Sequence, residues 1–261
     1  MHVNSETASE TRRLTAPEIF EAATENGRSE LKRSWRSLAF SGLAGGITLG
    51  LSGLSVAALN AMLGEGSWQR LASFVMYPAG FIAVIIGRSQ LFTENTLYPV
   101  VLVLDERRHW LATLRLWGVV FTANIFGALL FAALAIRTAA LRPDVAGALV
   151  KLGNDAVPGS FEHLFWSGVV GGWLIALVAW MVTASHWTIG QVVMVWLLTF
   201  ILGIGHFAHC IVTSCEILAA TLAGSVSVGS YFHWLLPATL GNIAGGVGIV
   251  SVLNYGQVRQ E

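Results

Sequence analysis

Gly205 to Glu216 reads GHFAHCIVTSCE and Gly87 to Asn95 reads GRSQLFTEN, and each polar stretch follows a long apolar run, VVMVWLLTFILGI in one case and LASFVMYPAGFIAVII in the other. Histidine is the side chain whose charge changes near neutral pH, and an ionisable group at apolar depth is costly enough to imply a role. His209 is therefore the leading candidate for acid–base chemistry. A histidine on an apolar helix is otherwise a hydrogen-bonded core residue, and its place inside a polar break is what favours function. His206 shares a helix face with His209 if the intervening turn is helical, either as a second proton site or as a hydrogen bond at the edge. Arg88, Glu94 and Glu216 need partners, because a buried unpaired charge is strongly unfavourable. Pairing Arg88 with Glu94 or Glu216 would bridge the two stretches; the sharper alternative makes Arg88 an anion attractor and Glu216 a proton partner of the histidines. His206, His209 and Glu216 also spell H-x-x-H-x6-E, a pattern able to ligate a transition metal. Arg88 and Gln90, at the same depth, are poor metal ligands, so neither a metal nor another cofactor is expected.

Helices in a bilayer must position these residues. The chain is 54% hydrophobic and 11% charged, where soluble domains run nearer a quarter charged. Apolar stretches predict six crossings, at 38–62, 71–104, 110–136, 161–185, 188–221 and 234–255, each long enough for a span of about 20 residues. Residues 38–256 would form the transmembrane domain, 1–37 an N-terminal segment and 257–261 a tail. The second and fifth spans are too long for one simple crossing, and both are interrupted at mid-depth. A broken helix frees backbone groups that are tolerable only beside a cavity or packed protein. Three crossings per half would put the second half into the membrane upside down, so the predicted fold is an all-α inverted repeat with broken second and fifth helices. The stretches GLAGGITLG, GVVGG and GNIAGGVG are read as close helix packing.

Lys and Arg placement sets the orientation: Arg12, Arg13, Arg28, Lys32, Arg33 and Arg36 precede the first span, and Arg107 and Arg108 separate the second from the third. Both termini are thus expected in the cytoplasm. The apolar stretch begins only near Leu38, too late and too long for a cleaved signal peptide. Ahead of it, Thr15 as N-cap, Pro17 and Glu18 in the first turn and Gly27 as stop predict a short surface helix. A formal net charge of zero gives no case for nucleic acid. Cys210 and Cys215 lie five apart in one apolar span, which argues against a disulfide between them.

GRSQLFTEN resembles the first signature of the formate/nitrite transporter family, a Gly-x-x-(acid)-Leu-Phe-Thr loop, through Leu91, Phe92 and Thr93. GHFAHCIVTSCE is similar to the second signature and places His209 on that family's central pore histidine. LWGVVFTANIFGALL resembles the third span through Trp117, Asn124 and Gly127, GVVGGWLIALVAW the fourth, and GNIAGG the sixth. Gln90 stands where the family commonly has an acid, Glu94 where it has a small residue, and Thr213 and Gly172 where it has asparagines; Lys151 lies several residues before the vestibule lysine. These departures point to a divergent, YfdC-like branch.

The resemblance implies an aquaporin-like, homopentameric channel in a bacterial inner membrane, not an enzyme, that passes small monovalent anions such as formate or nitrite together with protons. A hydrated anion entering a narrow apolar passage loses water and meets a donor that stabilises or protonates it, and neutralisation removes the desolvation cost. His209 would be that group, Thr93 would add a hydroxyl from the opposite loop, and half-helix N–H groups would add positive potential. Leu91 and Phe92 would form an apolar gate, and Asn242 matches a position near the pore. The alternatives are a channel for neutral solutes such as water or glycerol and, further off, a membrane metalloenzyme using His206, His209 and Glu216.

Overall fold

The computed structural model describes residues 12–64 and 66–259, so the start of the expected N-terminal segment and the last two residues of the expected tail lie outside the described residues. Among the described residues all regular structure is helical. The first helix, α1 (Ala16–Lys32), starts as its residues dictate: Thr15 caps it, and the Glu18 carboxylate accepts from both the Thr15 backbone N–H and its hydroxyl at 2.7 Å. It does not stop at Gly27. The helix runs through that residue because Gly27 is where it crosses the chain at Tyr98, and a Cβ there would run into the Tyr98 carbonyl oxygen. Ile19, Phe20, Ala23 and Thr24 make its buried face.

Arg28 fastens α1 at its other end by an ion pair with Glu106 at 2.7 Å, and Glu106 also takes Arg108 at 2.6 Å and His109 at 3.0 Å. The three donors, Arg28 foremost, hold the Glu106 carboxyl at about 2, below its ordinary 4.5. A depressed carboxylate stabilises the docked form above its free value and loses that contribution as pH falls through its docked value. Docking of α1 should therefore be insensitive to pH above about 4.5 and weaken from there towards 2. Glu106→Gln should loosen α1 at neutral pH, read as faster protease cleavage of the N-terminal segment; cleavage at the wild-type rate would count against this clamp.

Among the described residues five helical stretches are long and apolar enough to cross a membrane. They are α2 (Trp35–Leu63), the pair α3 (Ser67–Phe74) and α4 (Pro78–Ile86), α6 (Trp110–Arg137), α8 (Phe161–Ala184), and a last stretch from Val228 to Arg259. That last stretch comprises α11 (Val228–Ala244), a π-helical segment Gly245–Val252, and α12 (Leu253–Arg259), so it begins before the expected 234 and continues as helix through residue 259. The expected second span continues past α4 through a break, with one 3₁₀ turn at Glu94–Thr96, into α5 (Tyr98–Glu106). The expected fifth span is divided into α9 (Thr188–Ile204) and α10 (Val212–Leu222), neither long enough alone. An additional helix, α7 (Pro143–Ala156), lies between the third and fourth spans and packs on α10.

Lipid tails are as apolar as leucine, so burial of apolar surface cannot by itself hold such helices together; close backbone contact and buried hydrogen bonds do. The most extensive pairings are α2 with α6 and α8 with α11. At the first, a Cβ on Gly46 would collide with the Asn124 carbonyl oxygen; at the second, one on Gly172 would collide with that of Asn242. The glycine-rich stretches thus pack as expected. The π-helical segment also has a contact to explain it: Gly246 lies against the Thr96 hydroxyl, and the Ser251 hydroxyl donates to the Thr96 carbonyl at 2.8 Å.

Candidate functional site

Both breaks are made the same way. After α4 the Gly87 N–H donates to Ala83 O, Arg88 adopts φ 58°, and Ser89 N–H donates back to Val84 O; after α9 the Gly205 N–H donates to Ile201 O, His206 adopts φ 50°, and Phe207 N–H donates to Leu202 O. A left-handed residue terminates each helix and turns the chain inwards. The extended backbone beyond it is then held by one asparagine. Asn124 accepts from Phe92 N–H at 2.9 Å and donates to Gln90 O at 2.9 Å and Gly42 O at 2.7 Å. Asn242 accepts from Cys210 N–H at 2.8 Å and donates to Ala208 O and Gly168 O, each at 2.8 Å. Ser41 and Ser167 complete the sets by accepting from Gln90 N–H at 3.1 Å and Ala208 N–H at 2.9 Å. A carboxamide suits this task because it carries donors and an acceptor together, and it satisfies backbone groups that the broken helices leave without partners.

Between the breaks, Thr93 and His209 meet: Oγ1 lies 2.8 Å from Nε2, and both residues are 0% exposed. The ring's other nitrogen, Nδ1, faces the backbone N–H groups of Ile211 at 3.3 Å and Val212 at 3.1 Å, so it accepts. Nε2 then carries the hydrogen and donates to Thr93, which leaves the Thr93 O–H free to donate elsewhere. A proton placed on Nδ1 would displace two amide N–H groups. In this arrangement the histidine donates to the threonine. The edge of the Phe81 ring contacts His209 at 5.3 Å between centroids, and Tyr77, Phe74 and His206 continue the row at 5.9, 5.8 and 5.1 Å.

A cavity of about 230 Å³ opens on the α1 side, lined by Glu30 from α1 and by Arg88, Gln90, Leu91, Glu94 and Tyr98. A second, of about 350 Å³, opens on the far side, lined by Phe74, Tyr77, His206, Phe207, Thr213 and Glu216 among others. Arg88 and Glu216 line different cavities, and among the described residues no ion pair joins Arg88 to either glutamate. Each asparagine ties its own break to neighbouring helices, and the two breaks are joined by the Thr93–His209 contact rather than by an ion pair. His206 and His209 do not share a helix face either, because the left-handed turn at His206 sends its side chain to the far cavity. Among the described residues no group of three or more His, Cys, Asp or Glu is placed to hold a metal. Of the expected apolar gate Leu91 lines the α1-side cavity, and Phe92 packs edge-on against Trp117 and Phe121 of α6, at 5.8 and 5.0 Å. Gln90 accepts from Asn95 Nδ2 at 2.8 Å, and both cysteines are buried and free.

Sequence reasoning passed over Asn124 as a site residue, although its mate Asn242 was included, and missed Phe74, Tyr77, Phe81 and Phe207. The spacing of 74, 77 and 81 on one helical face was the available signal, but it is also that of ordinary core residues.

The site and fold define an all-helical transmembrane protein in which two broken helices meet around a buried histidine–threonine pair between two cavities. The chain belongs to the formate/nitrite transporter family, whose sequence model matches residues 17–256. It is 32% identical to the inner membrane protein YfdC of Escherichia coli (strain K12) over 93% of this chain and 79% of that protein. It is 30% identical to a probable formate transporter of Methanothermobacter thermautotrophicus over 84% of this chain and 83% of that one. Among solved structures it matches an FNT family ion channel with a TM-score of 0.83 at 19% identity, covering 92% of this chain and 98% of the other. A pentameric formate channel with formate bound matches at 0.74 and 18% identity, over 87% and 98%.

Proposed function

We propose that this protein conducts small monovalent anions of the formate or nitrite type together with a proton, through a path from the α1-side cavity past Leu91, Thr93 and His209 to the far-side cavity. The observation that carries this reading is the fully buried 2.8 Å contact between Thr93 and His209, with the threonine hydroxyl proton left free. A donor held in a dry place can stabilise an anion that has lost its water, and a proton taken up on the way cancels the charge altogether. Its relatives' names, a probable formate transporter and a formate channel with formate bound, favour the same cargo.

In this reading α9 and α10 together form the fifth of six crossings, the two halves are an inverted, aquaporin-like repeat, and five copies assemble as in the pentameric relative. Support for the repeat comes from corresponding contacts: Ser41, Gly42 and Gly46 have their counterparts 126 residues later, and Arg88, Gln90, Phe92 and Asn124 theirs 118 later. The α1 side faces the cytoplasm, with both termini, on the Lys and Arg bias.

Proteoliposomes loaded with formate, nitrite or acetate test the function. Uptake is expected to be faster with a pH gradient that drives protons in the same direction, with formate and nitrite ahead of acetate. No uptake of any of the three by folded protein would end this reading. The Glu94 and Glu216 carboxyls on the two cavity walls favour the alternative of a neutral solute, and osmotic swelling with water or glycerol separates it.

A further inference from the structure

Glu216 stands on α10 one turn beyond Thr213, lines the far-side cavity, is 7% exposed, and has no hydrogen bond or ion pair among the described residues. Its counterpart in the first half is Tyr98: Gly27 of α1 lies against the Tyr98 carbonyl oxygen, and Gly153 of α7 lies against the Glu216 carbonyl oxygen in the same way. The backbones are treated alike, but the side chains are not. The Tyr98 hydroxyl donates to Ala179 O at 3.2 Å and accepts from Thr183 at 3.3 Å, whereas the Glu216 carboxyl is left open to the cavity.

The groups facing it come from every neighbouring element. Tyr77 is buried beside it; Arg70 of α3, Asp155 of α7, His163 of α8 and His206 are exposed on the same cavity, and Lys151 of α7 lines an adjoining one. α2 meets it with Gly53 and α11 with Trp234. Basic groups, with Asp155 among them, thus occupy the exposed part of the vestibule, and the Glu216 carboxyl its buried part. An anion drawn in by the first would meet the second with no cation between them, and like charges at close range beside a buried carboxylate repel. The same carboxyl with a proton on it presents an O–H donor, which attracts the anion instead.

We propose that Glu216 is a protonation-controlled selectivity residue: an anion passes from the far-side vestibule to Thr93 and His209 only when Glu216 carries a proton taken from cavity water, and the deprotonated carboxylate bars it. The proton stays on Glu216 and is offered as a hydrogen bond; no bond is made or broken in the cargo. This rests on the anion-conducting reading above and adds to it the group that makes passage depend on pH from the far side.

Glu216→Gln keeps the size and a donor but cannot ionise. Exchange of labelled formate in proteoliposomes, at equal pH on both sides from 5 to 8, should fall with rising pH for the wild type and fall less steeply for the variant, which keeps only the dependence on the co-transported proton. Towards the alkaline end the variant should exceed the wild type, by about tenfold at a pH one unit above the carboxyl's midpoint. A variant that keeps the wild-type slope would assign the pH response to His206 or His163 and overturn the proposal; so would a folded variant that exchanges formate at no pH. Infrared difference spectra of the solubilised protein between the same pH values supply a readout free of transport. A protonated-carboxyl band that titrates in the wild type and is missing in the variant is expected, and its absence from the wild type overturns the proposal. A titrating band without formate exchange by the wild type would sink the anion reading and leave Glu216 as a proton site.

Discussion

His209→Phe is expected to lower formate uptake by between about tenfold and a hundredfold while the protein still folds and assembles. The aromatic ring fills the same space against Phe81, so packing is largely kept. What disappears is the Nε2–H that donates to Thr93 and that, in the function proposed above, polarises the hydroxyl offered to the cargo. A hydrogen bond to a charged group is worth about 1.5–3 kcal/mol, and about 1.4 kcal/mol is a decade in rate. Thr93 also loses its only ring partner in a place without water, and the N–H groups of Ile211 and Val212 lose their acceptor. His209→Gln, whose carboxamide can still donate to Thr93 and accept from the backbone, should recover part of the rate. Uptake of His209→Phe at the wild-type rate, by protein that elutes and melts like the wild type, would remove His209 from the mechanism.

The largest effect on stability is expected from Asn242→Ala. The carboxamide accepts from Cys210 N–H and donates to two carbonyl oxygens; without it the Cys210 N–H and the Ala208 carbonyl become unsatisfied in the protein interior, and Gly168 O, which lies within α8, loses its second donor. Each orphaned group costs about 1–3 kcal/mol, and water is scarce there. The loss should total several kcal/mol, a large share of the stability of an ordinary domain at about 5–15 kcal/mol. Purified Asn242→Ala should therefore melt well below the wild type or fail to accumulate in the membrane. Asn124→Ala should behave alike, because Asn124 holds the other break through the same three bonds. Unchanged melting of both variants would mean that the breaks are held by something other than these side chains.

Several features were legible in the residues alone because they are local. Thr15 and Glu18 are three apart, so a capping box follows from the spacing of two side chains on one turn. The apolar runs mark the membrane helices, and the interruptions at 87–95 and 205–216 mark the breaks, because backbone polar groups in lipid permit little else. Gly27 misled for the opposite reason: a glycine that ends a helix and a glycine that lets a helix touch its neighbour look alike until the neighbour, Tyr98, is in place. Arg88 and His206 adopt left-handed backbone without being glycine, so no residue type announced the two turns. Phe92 and Leu91 are adjacent and apolar, and only the packing of Trp117 and Phe121 separates the side chain on the wall from the one behind it.

The sequence by itself determined that this chain is a membrane protein of helices, that two of its spans are broken, and that His209 lies in one of the breaks, since each of these depends on which residue types follow one another within a few turns. The tertiary structure alone decided that His209 meets Thr93, 116 residues away, that Arg88 and Glu216 belong to separate cavities, and that Glu216 faces open space while Tyr98 is tied down. Those outcomes depend on how helices distant in the chain approach one another. That approach is set by a few glycines and two asparagines, whose contacts have no local signature.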